Sequence, residues 1–270
     1  MKQISILGCG WLGFPLAKTL LKKGFFIKGS TTSIDKLTLL ENTGISPFLI
    51  SLNSNEIQGN TQGFLKDSEI LIIDIPPKLR NPENESFTKK IKNTIPFIEN
   101  SSIQKVLFIS STSVYSDDAS TVLTVTEDTI PNPETESGKQ LLEVENLLMS
   151  NANFKTSVIR FSGLIGENRH PIRSLAGRKN IDNPDAPINL IQQEDCIGII
   201  MKLIEEESWG EVYNAATPFH PSRKEYYNQQ AMIFNLALPE FNDNNKSMGK
   251  IISSEKLMRI LKYDFKIPNL

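Results

Sequence analysis

Six residues near the start of the chain, Gly8-Cys9-Gly10-Trp11-Leu12-Gly13, restrict the possible folds more than any other feature. They follow a short apolar run, Ile4-Ser5-Ile6-Leu7. They open an amphipathic stretch with Leu12, Leu16, Ala17, Leu20 and Leu21 on its apolar side, stopped by Gly24. A G-x-G-x-x-G turn between a strand and a helix is built for a dinucleotide pyrophosphate. The first glycine permits the tight turn, the second lets backbone approach the phosphates, and the third lets helix pack on strand. Free N–H groups and the helix dipole then favour negative charge. Gly8, Gly10, Trp11, Leu12 and Gly13 are therefore candidate cofactor-binding residues, and Pro15 sits in the first helical turn, where a missing N–H costs least.

Strand-like apolar runs recur at 4–7, 25–29, 47–52, 69–75, 105–110, 156–161 and 211–214. Helix patterns near 11–23, 34–41, 87–100, 133–150 and 195–206 separate them. This alternation predicts an α/β fold, a doubly wound parallel Rossmann sheet covered on both faces. From 166 to 187 the pattern breaks into Gly, Pro, Asn and basic residues. After Thr217 a helix opens at Ser222-Arg223-Lys224-Glu225, a capping-box arrangement, and a second follows at 253–261. We expect a nucleotide-binding domain over 1–166 with a return segment 188–216. A small substrate-binding lobe is expected from 167–187 and 217–270.

Twenty-nine basic and 31 acidic residues give a net charge of −2, which argues against nucleic acid as a partner. Two cysteines, Cys9 and Cys196, are too few for a disulfide framework and suit a reducing compartment. No apolar run approaches the ~20 residues of a membrane span, and no signal-peptide pattern precedes the first strand. The expected location is cytoplasmic. Two histidines, without a nearby cysteine or carboxylate pattern, give no metal-site signal.

An acidic residue about 20 positions past the glycine turn would hold the ribose 2′-hydroxyl of NAD. The second strand instead ends in Gly29-Ser30-Thr31-Thr32-Ser33, with no carboxylate until Asp35. Hydroxyls at Ser30, Thr31 and Thr32, with Lys36 nearby, suit a 2′-phosphate and incline the reading towards NADP over NAD. Ser33 alternatively caps the next helix, with Asp35 favouring its first turn.

Further along, Phe108-Ile109-Ser110-Ser111-Thr112-Ser113-Val114-Tyr115, Thr126-Glu127-Asp128 with Pro131, Arg160-Phe161-Ser162-Gly163-Leu164-Ile165-Gly166, Asn189 to Asp195, and Gly210-Glu211-Val212-Tyr213-Asn214 form a set. With the glycine turn, they resemble the extended short-chain dehydrogenase/reductase superfamily, the NAD-dependent epimerase/dehydratase group, almost end to end. The Gly-Cys-Gly-Trp-Leu-Gly turn and Arg169-His170-Pro171 are similar to its small, atypical YeeZ-like branch. The resemblance implies an oxidoreductase whose chemistry resides in a Ser/Thr and a Tyr-x-x-x-Lys on one helix. There the Lys holds the nicotinamide ribose and lowers the phenol pKa from ~10 towards neutrality. The tyrosine can then exchange a proton while hydride moves.

Carried onto this chain, the Lys falls on Lys139 and the Ser on Ser111, while the tyrosine position holds Thr135. An aliphatic hydroxyl is a much poorer acid than a phenol, so Thr135 should not act as general acid/base. It is either a ligand-binding hydroxyl or a first-turn residue behind an Asn132 cap and Pro133. Tyr115, at the carboxyl end of strand five, is a candidate replacement, against an ordinary packing role. His170 lies in the exit loop where substrate should bind and titrates near neutral pH; a structural loop histidine is the competing reading. His220, beside the capping box, reads as structural.

Arg169, His170, Arg173, Arg178 and Lys179 form the most basic part of the chain and suit an anionic substrate such as a nucleotide sugar, or simply a solvated loop. Arg169, His170 and Arg173, with Ser111, are the candidate substrate contacts. Related folds often form homodimers through the helix carrying Lys139, although Leu141, Leu142, Leu147 and Leu148 equally suit burial within one chain. Two functions remain open: an NAD(P)-dependent enzyme on a small anionic substrate, with its proton from a non-standard group or water, and a non-catalytic NAD(P)(H)-binding sensor or interaction protein.

Overall fold

The computed structural model describes residues 2–79, 85–117, 122–244 and 247–269; the expected lobe segment 217–270 therefore includes 245–246 and 270, which lie outside them. Seven parallel strands form the central sheet: β1 (Gln3–Leu7), β2 (Phe26–Thr31), β3 (Ser46–Leu49), β4 (Ile70–Ile73), β5 (Lys105–Ser111), β6 (Lys155–Phe161) and β7 (Val212–Ala215). Their spatial order is β7-β6-β5-β4-β1-β2-β3. The chain thus winds outward from β1 in one direction and, after β3, crosses back to continue from β4 in the other. The point of reversal lies between β1 and β4, and their carboxyl ends open the crevice in which ligands of such sheets bind.

The helices are α1 (Gly13–Lys22), α2 (Asp35–Asn42), α3 (Thr61–Leu65), α4 (Phe87–Glu99), α5 (Glu136–Met149), α6 (Ile172–Leu175), α7 (Gln193–Glu205), α8 (Arg223–Ile233) and α9 (Glu255–Leu261). On one face of the sheet, Leu16, Ala17 and Leu20 of α1 pack with Ile199, Ile200 and Leu203 of α7 against Ile4, Ile6 and Ile159. On the other, Phe64, Ile91, Leu141, Val144 and Leu148 cover Leu71, Ile73 and Val106. Each fully buried Leu, Ile or Phe contributes roughly 1.5–3 kcal/mol, so these two layers supply most of the drive to fold. Leu141 and Leu148 are therefore committed inside the chain.

A smaller apolar cluster joins Ile165, Ile172, Leu175 and Ile181 to Tyr226, Tyr227 and Ala231 of α8. It gives the segment after β6 a core of its own, beside the carboxyl end of the sheet. The expected lobe needs one correction. Leu257 and Leu261 of α9, with Tyr263 and Phe265, pack into the main core because their apolar side chains cover β7 and α7. Asp195, fully buried at the start of α7, fixes this tail by accepting hydrogen bonds from the Tyr263 hydroxyl (2.8 Å) and the Lys266 N–H (2.8 Å).

Between α5 and the sheet lies a buried ionic network. Arg160 of β6 donates to Glu145 of α5 through Nε and Nη2, the latter at 2.6 Å, and the Ser110 hydroxyl donates to the same carboxylate at 2.5 Å. The remaining arm of the guanidinium donates to the Tyr115 hydroxyl at 2.6 Å. Removing one member leaves the other charge buried and unpaired, which costs about 3–5 kcal/mol. Glu145→Ala should therefore lower unfolding stability by about that amount in chemical denaturation, whereas a loss no larger than that of an exposed glutamate would mean the pair is solvated.

Candidate functional site

Backbone geometry at the first turn explains its glycines. Gly8 holds φ +109°, which L side chains rarely adopt, and a Cβ there would lie 2.3 Å from the Asp74 carbonyl oxygen. A Cβ on Gly13 would lie 2.2 Å from the Gly8 oxygen, so the start of α1 can only sit this close to β1 with glycine. Gly10 differs: a Cβ on it meets nothing within 4 Å. The first and third glycines are thus required by packing, while the second faces open space above the carboxyl ends of β1 and β4. Leu12, 3% exposed, anchors the turn to the core.

β2 braces this turn from the side. The Ser30 hydroxyl accepts from the Gly8 N–H at 2.9 Å, and the Cys9 N–H donates to the Ser30 carbonyl at 2.8 Å. Thr31 accepts from the Ser33 N–H at 3.1 Å. Ser30 and Thr31 are buried, which corrects their expected role: their hydroxyls shape the turns, and of the proposed cofactor-phosphate group only Thr32 and Lys36 stand exposed. Cys9 is buried and its thiol is pushed up to about 12, first by desolvation and then by Asp74. Cys196 is raised well above the usual thiol range for the same first reason.

Asp74, the residue after β4, closes the floor. Its carboxyl accepts a hydrogen bond from the Gly13 N–H and lies 3.0 Å from where a Gly13 Cβ would be. Desolvation pushes its pKa up to about 7, opposed by the Gly13 N–H and by the positive charge of Arg169. The sequence carried a signal for it, a carboxylate directly after the apolar run 70–73 and before Pro76-Pro77.

Across the cleft, Trp11 joins the turn to the segment after β6. Its ring carries the Arg169 guanidinium at 5.0 Å, and a Cβ on Gly166 would come within 2.9 Å of it. Its carbonyl accepts from Gln193 Nε2 at 2.6 Å. Gly166 and Arg169 exchange backbone hydrogen bonds of 2.9 and 3.0 Å, a tight turn that presents Arg169 to the ring.

The residues matched to the reductase motif lie at the carboxyl end of β5. Ser111 ends that strand, and its hydroxyl oxygen accepts from the Ser113 N–H at 3.2 Å. The start of α5 sits against this turn because residue 138 is glycine: a Cβ there would lie 2.4 Å from the Ser113 carbonyl oxygen. Lys139, on the next residue, is exposed and forms no ion pair among the described residues. Thr135 is the N-cap of α5, its hydroxyl accepting from the Gly138 N–H at 3.1 Å. The helix begins at Glu136, so the cap is Thr135 rather than Asn132, and Pro133 lies outside it.

Two candidate proton carriers are engaged elsewhere. Tyr115 is 3% exposed and its hydroxyl accepts from Arg160 while lying 3.0 Å from Asn214 Oδ1. Burial raises its pKa despite Arg160, and its hydroxyl is engaged by partners inside the protein. His170 accepts from the Ile172 N–H at Nδ1, leaving Nε2 to donate to the Tyr226 hydroxyl at 2.8 Å. Desolvation and Arg173 lower its pKa, so it is a neutral histidine that starts α6 and ties it to α8. Arg173 lies over the Phe234 ring at 5.3 Å, and His220 bonds the Ile188 carbonyl. Among the described residues no His, Cys, Asp and Glu group is arranged to hold a metal, and no helix is long and apolar enough to cross a membrane.

The strand order, the glycine turn at the reversal point and the smaller cluster beside it define the fold of the NAD-dependent epimerase/dehydratase group. No family model matches the chain. Protein YeeZ of Escherichia coli K12 is 32% identical over 271 residues, covering 100% of this chain and 97% of that protein. A protein of unknown function from Silicibacter pomeroyi superposes with a TM-score of 0.80 at 20% identity, covering 100% and 95% of the two chains. The UDP-glucuronic acid 4-epimerase of Bacillus cereus, solved in complex with NAD, gives 0.78 at 17% identity, covering 99% and 92%. The chain belongs to the family of YeeZ.

The Asp74 environment sets a pH dependence. Its folded pKa of about 7 lies above the ordinary carboxyl value, so between about pH 4 and pH 7 the native state keeps a proton that the unfolded chain has released. Stability from this group is greatest in acid and is lost as pH rises through that window. Asp74→Asn keeps an acceptor for Gly13 without the buried charge. It should raise the melting temperature at pH 8, with the gain vanishing towards about pH 4; an equal change at both pH values would mean the carboxyl is ordinarily solvated.

Proposed function

We propose that the turn 8–13 holds the pyrophosphate of a nicotinamide dinucleotide. On this reading the chain is an NAD(P)-dependent oxidoreductase or epimerase/dehydratase-like enzyme acting on a small anionic substrate of the nucleotide-sugar kind. The observation that carries it is the turn itself: two glycines demanded by packing, a third open to the cleft, and the start of α1 directly beneath. Such a turn suits a diphosphate through the N–H groups of Trp11 and Leu12, those of Gly8, Cys9, Gly10 and Gly13 being engaged by Ser30, Gly8 and Asp74. The NAD-bound epimerase with the same fold supports nicotinamide over other nucleotides. Thr32 and Lys36, exposed where β2 ends without a carboxylate, incline the choice to NADP.

The nicotinamide, when bound, supplies hydride transfer. Ser111 is suited to the substrate oxygen, because its own oxygen accepts from Ser113 and its O–H proton is left to donate. Lys139 is suited to the ribose hydroxyls. Thr135 caps its helix and Tyr115 is buried, so proton exchange falls to water. Two free, buried cysteines suit a reducing, cytoplasmic setting. The capped Thr135 also favours a second reading, a non-catalytic NAD(P)(H)-binding sensor or interaction protein that kept the cofactor cleft.

The test is a side-by-side titration with NADPH and NADH, followed by nicotinamide fluorescence. Saturable binding with NADPH tighter is the expected outcome. Absence of saturation for both at near-millimolar cofactor would overturn both readings. Stereospecific hydride exchange with a nucleotide-sugar substrate then separates enzyme from sensor.

A further inference from the structure

The basic segment after β6 divides into two parts that do different things. Arg173 turns to Phe234 and Lys179 pairs with Glu240, so both belong to the smaller cluster's surface. Arg169 instead lies over Trp11, inside the glycine turn. Its position is fixed from three sides: the Gly166–Arg169 backbone pair, the close packing of Gly166 on the indole, and the Gln193 hydrogen bond that holds the Trp11 backbone.

The guanidinium so held has no partner of its own. Among the described residues Arg169 makes neither a side-chain hydrogen bond nor an ion pair within 4.0 Å, and the side chain is exposed. Asp74 feels its charge, and the two form no ion pair within 4.0 Å among the described residues. An aromatic face orients a guanidinium without occupying its donors, since the stack uses the plane and leaves the five N–H groups at the edge. The result is a planar, permanently charged fork, held in place and open, beside the glycine turn. Arg matches phosphate oxygens in a bidentate way that Lys does not.

We propose that Arg169 is a phosphate clamp for the bound dinucleotide: it closes over the pyrophosphate from the side opposite α1, with Trp11 as its backing plate. The assignment rests on the reading of the turn as a dinucleotide site, and it moves Arg169 from the expected substrate contacts to the cofactor. It also gives Trp11 a task. The indole packs between turn and exit segment, and its face carries the guanidinium.

The experiment measures NADH affinity by nicotinamide fluorescence in the parent chain and in Arg169→Gln, Arg169→Lys and Lys179→Gln, with inorganic pyrophosphate as a competitor. A charge-assisted hydrogen bond is worth about 1.5–3 kcal/mol, so Arg169→Gln should weaken NADH roughly 10- to 100-fold. Pyrophosphate should compete more weakly in proportion. Arg169→Lys should retain part of the affinity, and Lys179→Gln, which removes one charge from the same segment, should bind NADH like the parent. Because Arg169 is exposed, all variants should melt like the parent. Equal NADH affinity in Arg169→Gln and parent would overturn the clamp while leaving the dinucleotide site standing. Equal weakening by Lys179→Gln would overturn it in favour of diffuse charge. Failure of the parent itself to bind either NADPH or NADH would remove the dinucleotide reading, and the clamp with it.

Discussion

The structure depends on a contact that no side chain makes. Where β1 ends, the Gly8 backbone passes so close to the Asp74 carbonyl, and Gly13 so close to Gly8, that a single added carbon at either position would overlap its neighbour. This approach lets α1 start directly at the edge of the sheet instead of one turn above it. It brings the carboxyl ends of β1 and β4 together with the first N–H groups of a helix, at the point where strand order reverses. The apolar layers beneath, Leu16 and Leu20 on one side and Leu71 and Ile73 on the other, make the contact permanent.

What the chain discloses before folding is what local pattern encodes. All seven sheet strands and the longer helices follow from alternating apolar runs, with ends displaced by only a few residues, because buried parallel strands are continuous apolar segments. The glycine turn follows from spacing. What pattern cannot encode is the partner of a polar group. Ser30 looks like a ligand hydroxyl until Gly8 is seen to donate to it, and His170 looks like a titrating loop residue until Tyr226 arrives from α8. Thr135 reads in the sequence as either cap or ligand hydroxyl, and its hydrogen bond from the Gly138 N–H shows that it caps α5. The tail from α9 onward was misplaced for the same reason: Asp195, Tyr263 and Lys266 meet only in three dimensions.

The carboxyl end of β5 shows how packing and chemistry share residues. Gly138 lets α5 rest on the Ser113 carbonyl, which sets Lys139 beside the Ser111 turn. Three residues earlier, Thr135 supplies the cap that a tyrosine would not. The buried Arg160–Glu145 pair ties the same helix to β6 and engages Tyr115 on the way. In this chain α5 is thus organised around its own start and its anchorage to the sheet, with Lys139 exposed in its first turn.

One short pairing bears on how the molecule is made. The stretch Leu123–Val125, which leads from the Ser111 turn towards α5, is held in parallel register by Lys250–Ile252, and Lys250 also reaches the Tyr115 carbonyl at 2.7 Å. The rim of the cleft therefore takes its shape from residues near the far end of the chain. During synthesis β1, β2 and the glycine turn can dock as soon as β4 emerges, since domains form from the N-terminus as chain becomes available. The rim must wait until residues 250–252 have left the ribosome, and closing so long a loop is slow. A nascent chain of this protein has its glycine turn assembled well before it has a finished wall around it.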